Sequence, residues 1–96
     1  MRQAYIVCYD ICDPKRLRLV YRMMRGHGDH VQLSVFRCEL DKRELVELRA
    51  KLGRLIHSGE DQVMFVDMGP VEGRGSGCIS TIGLPYVNPE RLALVM

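Results

Sequence analysis

Hydrophobic and polar positions along the chain follow two different periods, which predicts strands and helices in turn. Residues 4–11 are mostly β-branched or aromatic and predict a first strand. Residues 14–25 have the three-and-four spacing of apolar side chains that is typical of a helix with one buried face. The apolar positions of this helix are Leu17, Val20, Tyr21 and Met24. Asp13 is predicted to cap the helix, and Pro14 suits its first position, where no backbone N–H is needed.

The middle of the chain predicts two more strands and a second helix. Residues 30–40 are predicted to form one long bent strand, because the alternation changes phase near residues 34–37. Asp41 and Glu44 have the spacing of a capping box, which begins a helix predicted to run through residue 57. The apolar face of that helix comprises Leu45, Leu48, Leu52, Leu55 and Ile56. A further strand is predicted over residues 62–68.

The last third of the chain is rich in glycine at its start. Residues 69–77 are predicted to form a flexible hinge, followed by a last strand over residues 78–83 and a tail over residues 84–96. With 96 residues and no internal repeat, residues 1–96 are predicted to form a single domain. The order of elements predicts an α+β two-layer sandwich, with two helices against one sheet.

The distribution of charge along the chain indicates more about function than the net charge does. The net charge of +2 and the charged fraction of 27% are ordinary for a globular protein. However, residues 14–28 carry five positive charges and no negative ones. Four of the five line one face of the first helix, namely Lys15, Arg18, Arg22 and Arg25, and Arg16 is the fifth. This pattern predicts binding to nucleic-acid phosphates without sequence preference, and an ordinary solvated face is the alternative. With no Trp and two Phe, base stacking is not expected.

Asp10 is the strongest candidate for chemistry, because it ends an apolar strand where packing gives no reason for a charge. Mg²⁺ is usually held by one or two carboxylates together with waters and substrate phosphates. Asp10 is therefore predicted to bind Mg²⁺ or Mn²⁺, whereas Asp13 already fills the alternative role of helix cap. A second Asp10 across a two-fold axis would complete such a site, and a core this small also favours a homodimer. Tyr9 points away from Asp10 on an alternating strand, so both core packing and catalysis are open for it.

The remaining motifs mainly argue against particular kinds of site, such as a metal-binding cysteine pair, a phosphate-binding loop or a membrane segment. The four cysteines form no C-x-x-C pair and are expected to be reduced thiols. Residues 73–77 do not have the pattern of a phosphate-binding loop and precede a strand, which favours the hinge. Because no basic-then-apolar leader and no apolar run of about 18 residues is present, a cytoplasmic location without membrane contact is expected.

Several segments, found together and in order, resemble the CRISPR-associated protein 2 family. They are Tyr5–Ile11, the turn Asp13–Arg16, the strand Val31–Phe36 and the acidic pair Glu60–Asp61. The resemblance implies a ferredoxin-like fold with a mainly antiparallel sheet and an extra C-terminal strand, which homodimers often exchange between their subunits. It also implies metal-dependent endonuclease activity on RNA or DNA. The partner that it implies is the adaptation integrase, CRISPR-associated protein 1, during spacer acquisition.

The same resemblance assigns roles to individual residues. It implies that Asp10 binds the metal, that Tyr9 is its catalytic neighbour, and that Ser34 and Phe36 support the site. It places the family's basic helix residues most naturally on Arg16 and Arg18, within the group predicted to bind nucleic acid.

Three interpretations remain open on sequence grounds. The first is a metal-dependent phosphodiesterase dimer, and the second is a non-catalytic scaffold that holds duplex DNA for the integrase. The third is an unrelated ferredoxin-like RNA-binding domain, which shares ground with VapD-type toxin ribonucleases of similar fold. The aromatic strand motif of RNA-binding domains is missing from the sequence.

Overall fold

The computed structural model of the protein describes residues 1–84. In chain order its elements are β1 (Gln3–Asp10), α1 (Pro14–Arg25), β2 (Asp29–Gln32), β3 (Val35–Leu40), α2 (Lys42–Leu55), β4 (Gln62–Pro70) and a short 3-10 turn (Arg74–Ser76). Most of the predicted tail, residues 85–96, lies outside the described residues. Within residues 1–84, neither helix has the length and apolar character that a bilayer crossing requires.

The strands form one antiparallel sheet in the order β2-β3-β1-β4, with β1 in its centre. Both helices belong to β-α-β connections and pack on the same side of the sheet, which is the ferredoxin-like arrangement. The predicted α+β sandwich and its mainly antiparallel sheet are therefore confirmed. Because β1 lies in the centre, its C-terminal end, which carries Asp10, is held by neighbours on both sides.

Local capping determines where the two helices begin. The Asp13 carboxylate accepts the backbone N–H of Arg16 at 2.9 Å, and Pro14 occupies the first turn of α1. In α2 the Asp41 side chain accepts the Glu44 N–H at 2.8 Å, and the Glu44 side chain accepts the Asp41 N–H at 2.9 Å. Both predicted caps are confirmed. α2 ends at Leu55, two residues before the predicted end.

The core lies between the helices and one face of the sheet. Alternate residues of β1 and β3 point into it, which is the period-two burial expected of a half-covered sheet. Its buried members include Tyr5, Val7, Tyr9, Phe36, Cys38, Leu40, Val20, Met24, Leu48 and Leu52. Burial raises the pKa of the Cys38 thiol to about 12, so this cysteine acts as a small apolar side chain. All four cysteines are free thiols.

The prediction of one long strand over residues 30–40 is wrong. The chain forms two short strands, β2 and β3, joined by a two-residue turn at Leu33 and Ser34. Leu33 adopts a positive φ of 22°, a conformation that hairpin turns usually give to Gly or Asn. Since neither residue type is present at this turn, the phase change in the pattern indicated a bulge rather than a reversal of the chain.

The glycine-rich segment is only partly the predicted hinge. Gly75 is buried in the 3-10 turn, where an added Cβ would lie 2.8 Å from the Ala4 Cβ and from two backbone oxygens. Glycine is required there because the turn packs directly on the sheet. The predicted last strand over residues 78–83 is not formed, because these residues have no strand partner within the described chain. Exchange of that segment between two subunits stays a prediction.

Candidate nucleic-acid and metal site

Asp10 lies at the exposed end of β1, on the side of the sheet that the helices leave uncovered. We call this side the open face, and it contains Ile6, Cys8 and Asp10 of β1 and, opposite them on β4, Val66, Met64 and Gln62. Met64 and Val66 are 49% and 44% exposed, which is unusual for large apolar strand residues of a monomer. The Asp10 carboxylate therefore borders an exposed apolar patch.

The chemistry of Asp10 suits a hard divalent cation, but one chain provides little of the coordination sphere. Mg²⁺ prefers oxygen ligands and keeps several waters, so one exposed carboxylate is an appropriate first ligand. No group of three His, Cys, Asp or Glu residues within residues 1–84 is arranged to hold a metal. The Asp10 site thus fits Mg²⁺ or Mn²⁺ if waters, a substrate phosphate or a second chain complete it.

The side chain of Tyr9 does not accompany Asp10. It points to the helix-covered face, is 6% exposed, and its ring stacks on Phe36 with centroids 6.2 Å apart. Burial, followed by the neighbouring Tyr21, raises the pKa of the Tyr9 hydroxyl above its usual value. Tyr9 therefore remains protonated at neutral pH. The structure thus places Tyr9 on the opposite face of the sheet from Asp10, as the alternation predicted, and the catalytic role that the resemblance implies for Tyr9 stays a prediction.

Ser34 and Phe36 hold the strand end rather than line a site with Asp10. The carbonyl of Ser34 accepts the Tyr9 N–H at 3.1 Å, next to Asp10. The Phe36 ring is fully buried and contacts Tyr21 and His30, with centroids 5.8 Å and 4.9 Å away. These contacts place Ser34 and Phe36 beside the end of β1, and the supporting role that the resemblance implies for them stays a prediction.

The basic face of α1 is open to solvent. Lys15, Arg18 and Arg22 are exposed, and none of the three forms an ion pair with another residue in the described part of the chain. Arg25 is also exposed, but its guanidinium donates to the Tyr21 hydroxyl at 3.1 Å and lies over the ring. This face can meet phosphates without first breaking an ion pair.

Arg16 is not part of that face. Its Nε donates to Asp61 Oδ2 at 2.7 Å and its Nη2 to Glu60 Oε1 at 3.1 Å, and the side chain is 25% exposed. The guanidinium is therefore committed to two carboxylates. A phosphate could reach Arg16 only in competition with these carboxylates, so the predicted phosphate contact of Arg16 stays a prediction that the exposed residues of the basic face support better.

Asp61 is the residue whose role sequence reasoning missed. Its side chain is completely shielded from solvent and, besides Arg16, accepts the backbone N–H groups of Cys12 at 3.0 Å and His57 at 2.8 Å. The Arg16 guanidinium, together with those two N–H groups, holds the pKa of the Asp61 carboxyl well below its usual range, against the opposing effect of burial. Asp61 thereby fastens the loop after Asp10 to the segment that leads into β4.

Replacement of Asp61 by Asn should make stability less dependent on pH. Since the carboxyl pKa is lowered in the folded state, its contribution is complete above the unfolded value of about 4 and is lost progressively as the pH falls below it. Asp61→Asn should therefore lower the melting temperature at neutral pH, and the difference from the parent should shrink at about pH 3. Thermal unfolding monitored by circular dichroism at both pH values measures this.

Glu60→Gln is the matched control, because the Glu60 side chain is 56% exposed and an exposed ion pair contributes little. A melting difference for Asp61→Asn that is the same at both pH values would show that the charge of Asp61 is not the cause.

Taken together, the sheet order and the two capped helices define a small ferredoxin-like protein, in which an exposed carboxylate at a strand end lies beside a basic helix. Comparison with known families agrees with this class. The family model for CRISPR associated protein Cas2 matches residues 3–72, and the chain therefore belongs to the Cas2 family.

Individual relatives support the same assignment. The chain is 40% identical over 93 residues to the CRISPR-associated endoribonuclease Cas2 1 of Rhodospirillum rubrum, covering 97% of this chain and 90% of that protein. It is 39% identical over 96 residues to the CRISPR-associated endoribonuclease Cas2 of Geobacter sulfurreducens, covering all of both chains. The crystal structure of Streptococcus pyogenes Cas2 at pH 6.5 superposes with a TM-score of 0.72 at 29% identity, covering 83% of this chain and 99% of that one.

These comparisons confirm the predicted family and fold. The curated relatives carry the name endoribonuclease, which describes a hydrolase of RNA. The divalent ion, the homodimer, the integrase partner and the cytoplasmic location stay predictions for this chain.

Proposed function

We propose that the chain is a homodimeric, metal-dependent phosphodiesterase that cleaves RNA or DNA and supports spacer acquisition together with an adaptation integrase. The observation that carries this proposal is the exposed Asp10 carboxylate beside an exposed apolar patch on the open face. The names of the curated relatives support hydrolysis, with RNA as the substrate class.

The open face supports the homodimer. A second copy packed on this face would cover Met64 and Val66, which are otherwise exposed to water at the expense of stability. Two-fold packing uses the same patch on both subunits. With the axis near the end of β1, the two Asp10 carboxylates would lie in one site, which is the second ligand that a single chain lacks.

The residues around this site have separate tasks. When bound, the divalent ion supplies Lewis acidity at the phosphate and lowers the pKa of an attacking water. Asp10 places that chemistry at the strand end, and the basic face of α1 holds the flanking phosphates through Lys15, Arg18 and Arg22. Asp61 and Arg16 keep the loop after Asp10 in place through the bonds described above.

Binding through the basic face should depend steeply on salt. If the exposed basic residues make Z phosphate contacts, log affinity for duplex DNA should fall with log salt at a slope of roughly −0.9Z. Alanine at Lys15, Arg18 or Arg22 should each reduce the slope by about one and weaken all sequences alike. Fluorescence anisotropy titrations at several salt concentrations measure the slope. Arg54→Ala on α2 is the control, and an unchanged slope in all three α1 variants would exclude this face.

The homodimer is tested by placing a charge on the open face. Val66→Glu should give a monomer without cleavage activity, because a carboxylate would be buried between two apolar surfaces. Val46→Glu is the matched control, since Val46 is 62% exposed on α2 and lies away from that face. Sedimentation equilibrium of both proteins at the same concentration, on the order of tens of micromolar, distinguishes monomer from dimer, because dimerisation depends on protomer concentration. A dimeric, active Val66→Glu protein, or a monomeric parent, would contradict the proposal.

A non-catalytic scaffold is the second candidate. It is favoured because each chain brings only one carboxylate, Asp10, to the candidate metal site. The basic face of α1 would serve a scaffold equally well, because phosphate binding there does not require Asp10. A parent protein that binds duplex DNA and the integrase but cleaves neither RNA nor DNA would establish the scaffold.

A further inference from the structure

A groove of about 500 Å³ lies on the helix side of the sheet, between the start of α1 and the β2–β3 turn. Its walls are the rings of Tyr9 and Tyr21 and the side chains of Leu17 and Leu33, and Arg18 lies at its rim. None of these walls belongs to the open face. Leu17, predicted to be part of the core stripe, is 41% exposed because it faces this groove rather than the sheet.

Leu33 is an energetically unfavourable residue at its position in the turn. The side chain is 88% exposed, and the backbone is in the left-handed region that branched residues avoid. Even so, the turn is fixed on both sides: His30 Nε2 donates to the Leu33 carbonyl at 2.7 Å, and the Ser34 carbonyl accepts the Tyr9 N–H. A strained backbone that is held firmly and presents an apolar side chain at a groove points to a contact with a ligand.

We propose that this groove receives one unpaired nucleobase of single-stranded RNA or DNA. The base would lie against Leu33, Leu17 and the Tyr21 ring, since Tyr9 is only 6% exposed, and Arg18 would hold the adjoining phosphate. Aromatic and apolar walls accept any base, since every base has a flat π face. Bases within a duplex are stacked and cannot enter. The inference rests on the nucleic-acid binding of the proposed function, and it is independent of cleavage at Asp10.

Charge favours a nucleotide over the apolar side chain of a partner protein. Arg18 belongs both to the groove rim and to the basic face, so the groove continues directly into the surface that Lys15 and Arg22 extend. A base joined to a phosphate complements an apolar cavity with a cationic rim. A strand whose phosphates follow α1 can therefore insert a base without leaving that surface.

The decisive variant is Leu33→Asn. Asn accepts a left-handed backbone more readily than Leu does, so the variant should fold and be at least as stable as the parent. Because the variant removes one apolar wall of the groove, its affinity for a single-stranded oligonucleotide should fall roughly tenfold, which corresponds to about 1.4 kcal/mol of binding free energy. Affinity for duplex DNA should be unchanged. The salt slope should also be unchanged, because the phosphate contacts remain.

Anisotropy titrations in EDTA, in which no metal-dependent cleavage occurs, measure these affinities. Val46→Asn on α2 is the matched control for loss of an exposed apolar side chain, and it should bind like the parent. Arg18→Ala should reduce the salt slope by about one for both single strands and duplex. An oligonucleotide of abasic residues is the matching probe, and the parent and Leu33→Asn should bind it equally.

Three results would overturn the inference. The first is a Leu33→Asn protein that binds single strands as the parent does. The second is an equal loss for single strands and duplex, which would indicate a general defect of the basic surface. The third is unchanged single-strand affinity with loss of binding to a purified integrase, which would assign the groove to a protein. Absence of cleavage by the parent, by contrast, would reject the phosphodiesterase and leave these binding results standing.

Discussion

Cleavage of RNA or DNA by the Asp10→Asn protein is expected to fall to the level of a protein-free control. The substitution keeps the size of the side chain and removes the charge that a divalent cation requires. The homodimer and its salt-dependent binding should survive, because Asp10 is an exposed residue at the rim of the open face. Gel assays with end-labelled RNA and DNA in Mg²⁺ or Mn²⁺ measure the cleavage, with sedimentation and anisotropy on the same preparation.

The matched control for Asp10→Asn is Asp67→Asn, which removes another exposed carboxylate from the same sheet. This control should retain the parent rate, and EDTA should abolish the activity of both the parent and the control. Because contaminating nucleases imitate weak activity, all proteins should be purified in parallel. If Asp10→Asn cleaves at the rate of the parent, Asp10 is not catalytic and the scaffold is the better description.

Leu48→Ala is expected to lower the free energy of unfolding by roughly 2–5 kcal/mol, since it removes a buried side chain and leaves a cavity. Leu48 is fully buried between α2 and the sheet, as predicted for the apolar face of that helix. For a domain of this size such a loss is a large part of the total stability. Urea unfolding followed by circular dichroism measures it, with Val46→Ala on the exposed side of α2 as the control.

A Leu48→Ala protein that unfolds at the urea concentration of the parent would show that α2 packs differently from the structure described here. Val46→Ala should shift the midpoint by little, since Val46 is mostly exposed and little buried surface is lost. At a temperature where Leu48→Ala is still folded, its nucleic-acid affinity should equal that of the parent, because α1 is unchanged.

The elements that sequence predicts best are those determined by neighbouring residues. The caps at Asp13 and Asp41 depend on side chains within three positions of the backbone N–H groups that they accept, so the sequence places both helix starts correctly. The buried faces also follow from spacing, except at Leu17, which faces the groove. The position of Asp10 at an exposed strand end is predictable for the same reason, because a carboxylate after an apolar run has no place in a core.

The features that sequence reasoning missed depend on contacts between distant parts of the chain. Arg16 and Asp61 are 45 positions apart, and nothing local shows that this arginine, unlike Arg18, has a buried acidic partner. The turn at Leu33 was missed because its conformation contradicts the preference of the residue. The groove went unseen for a related reason: Tyr9 and Tyr21 line it only after β1 and α1 have packed together.

The 3-10 turn at residues 74–76 has a geometric consequence for how two copies can meet. By packing on Ala4 and accepting an Arg37 hydrogen bond at the Gly75 carbonyl, it occupies the end of the open face that is remote from Asp10. In a homodimer packed on the open face, this turn would block the partner sterically at that end. The proposed overlap between the subunits would then be confined to the half of the sheet that ends in Asp10, and the fold of each chain would determine how the two are aligned.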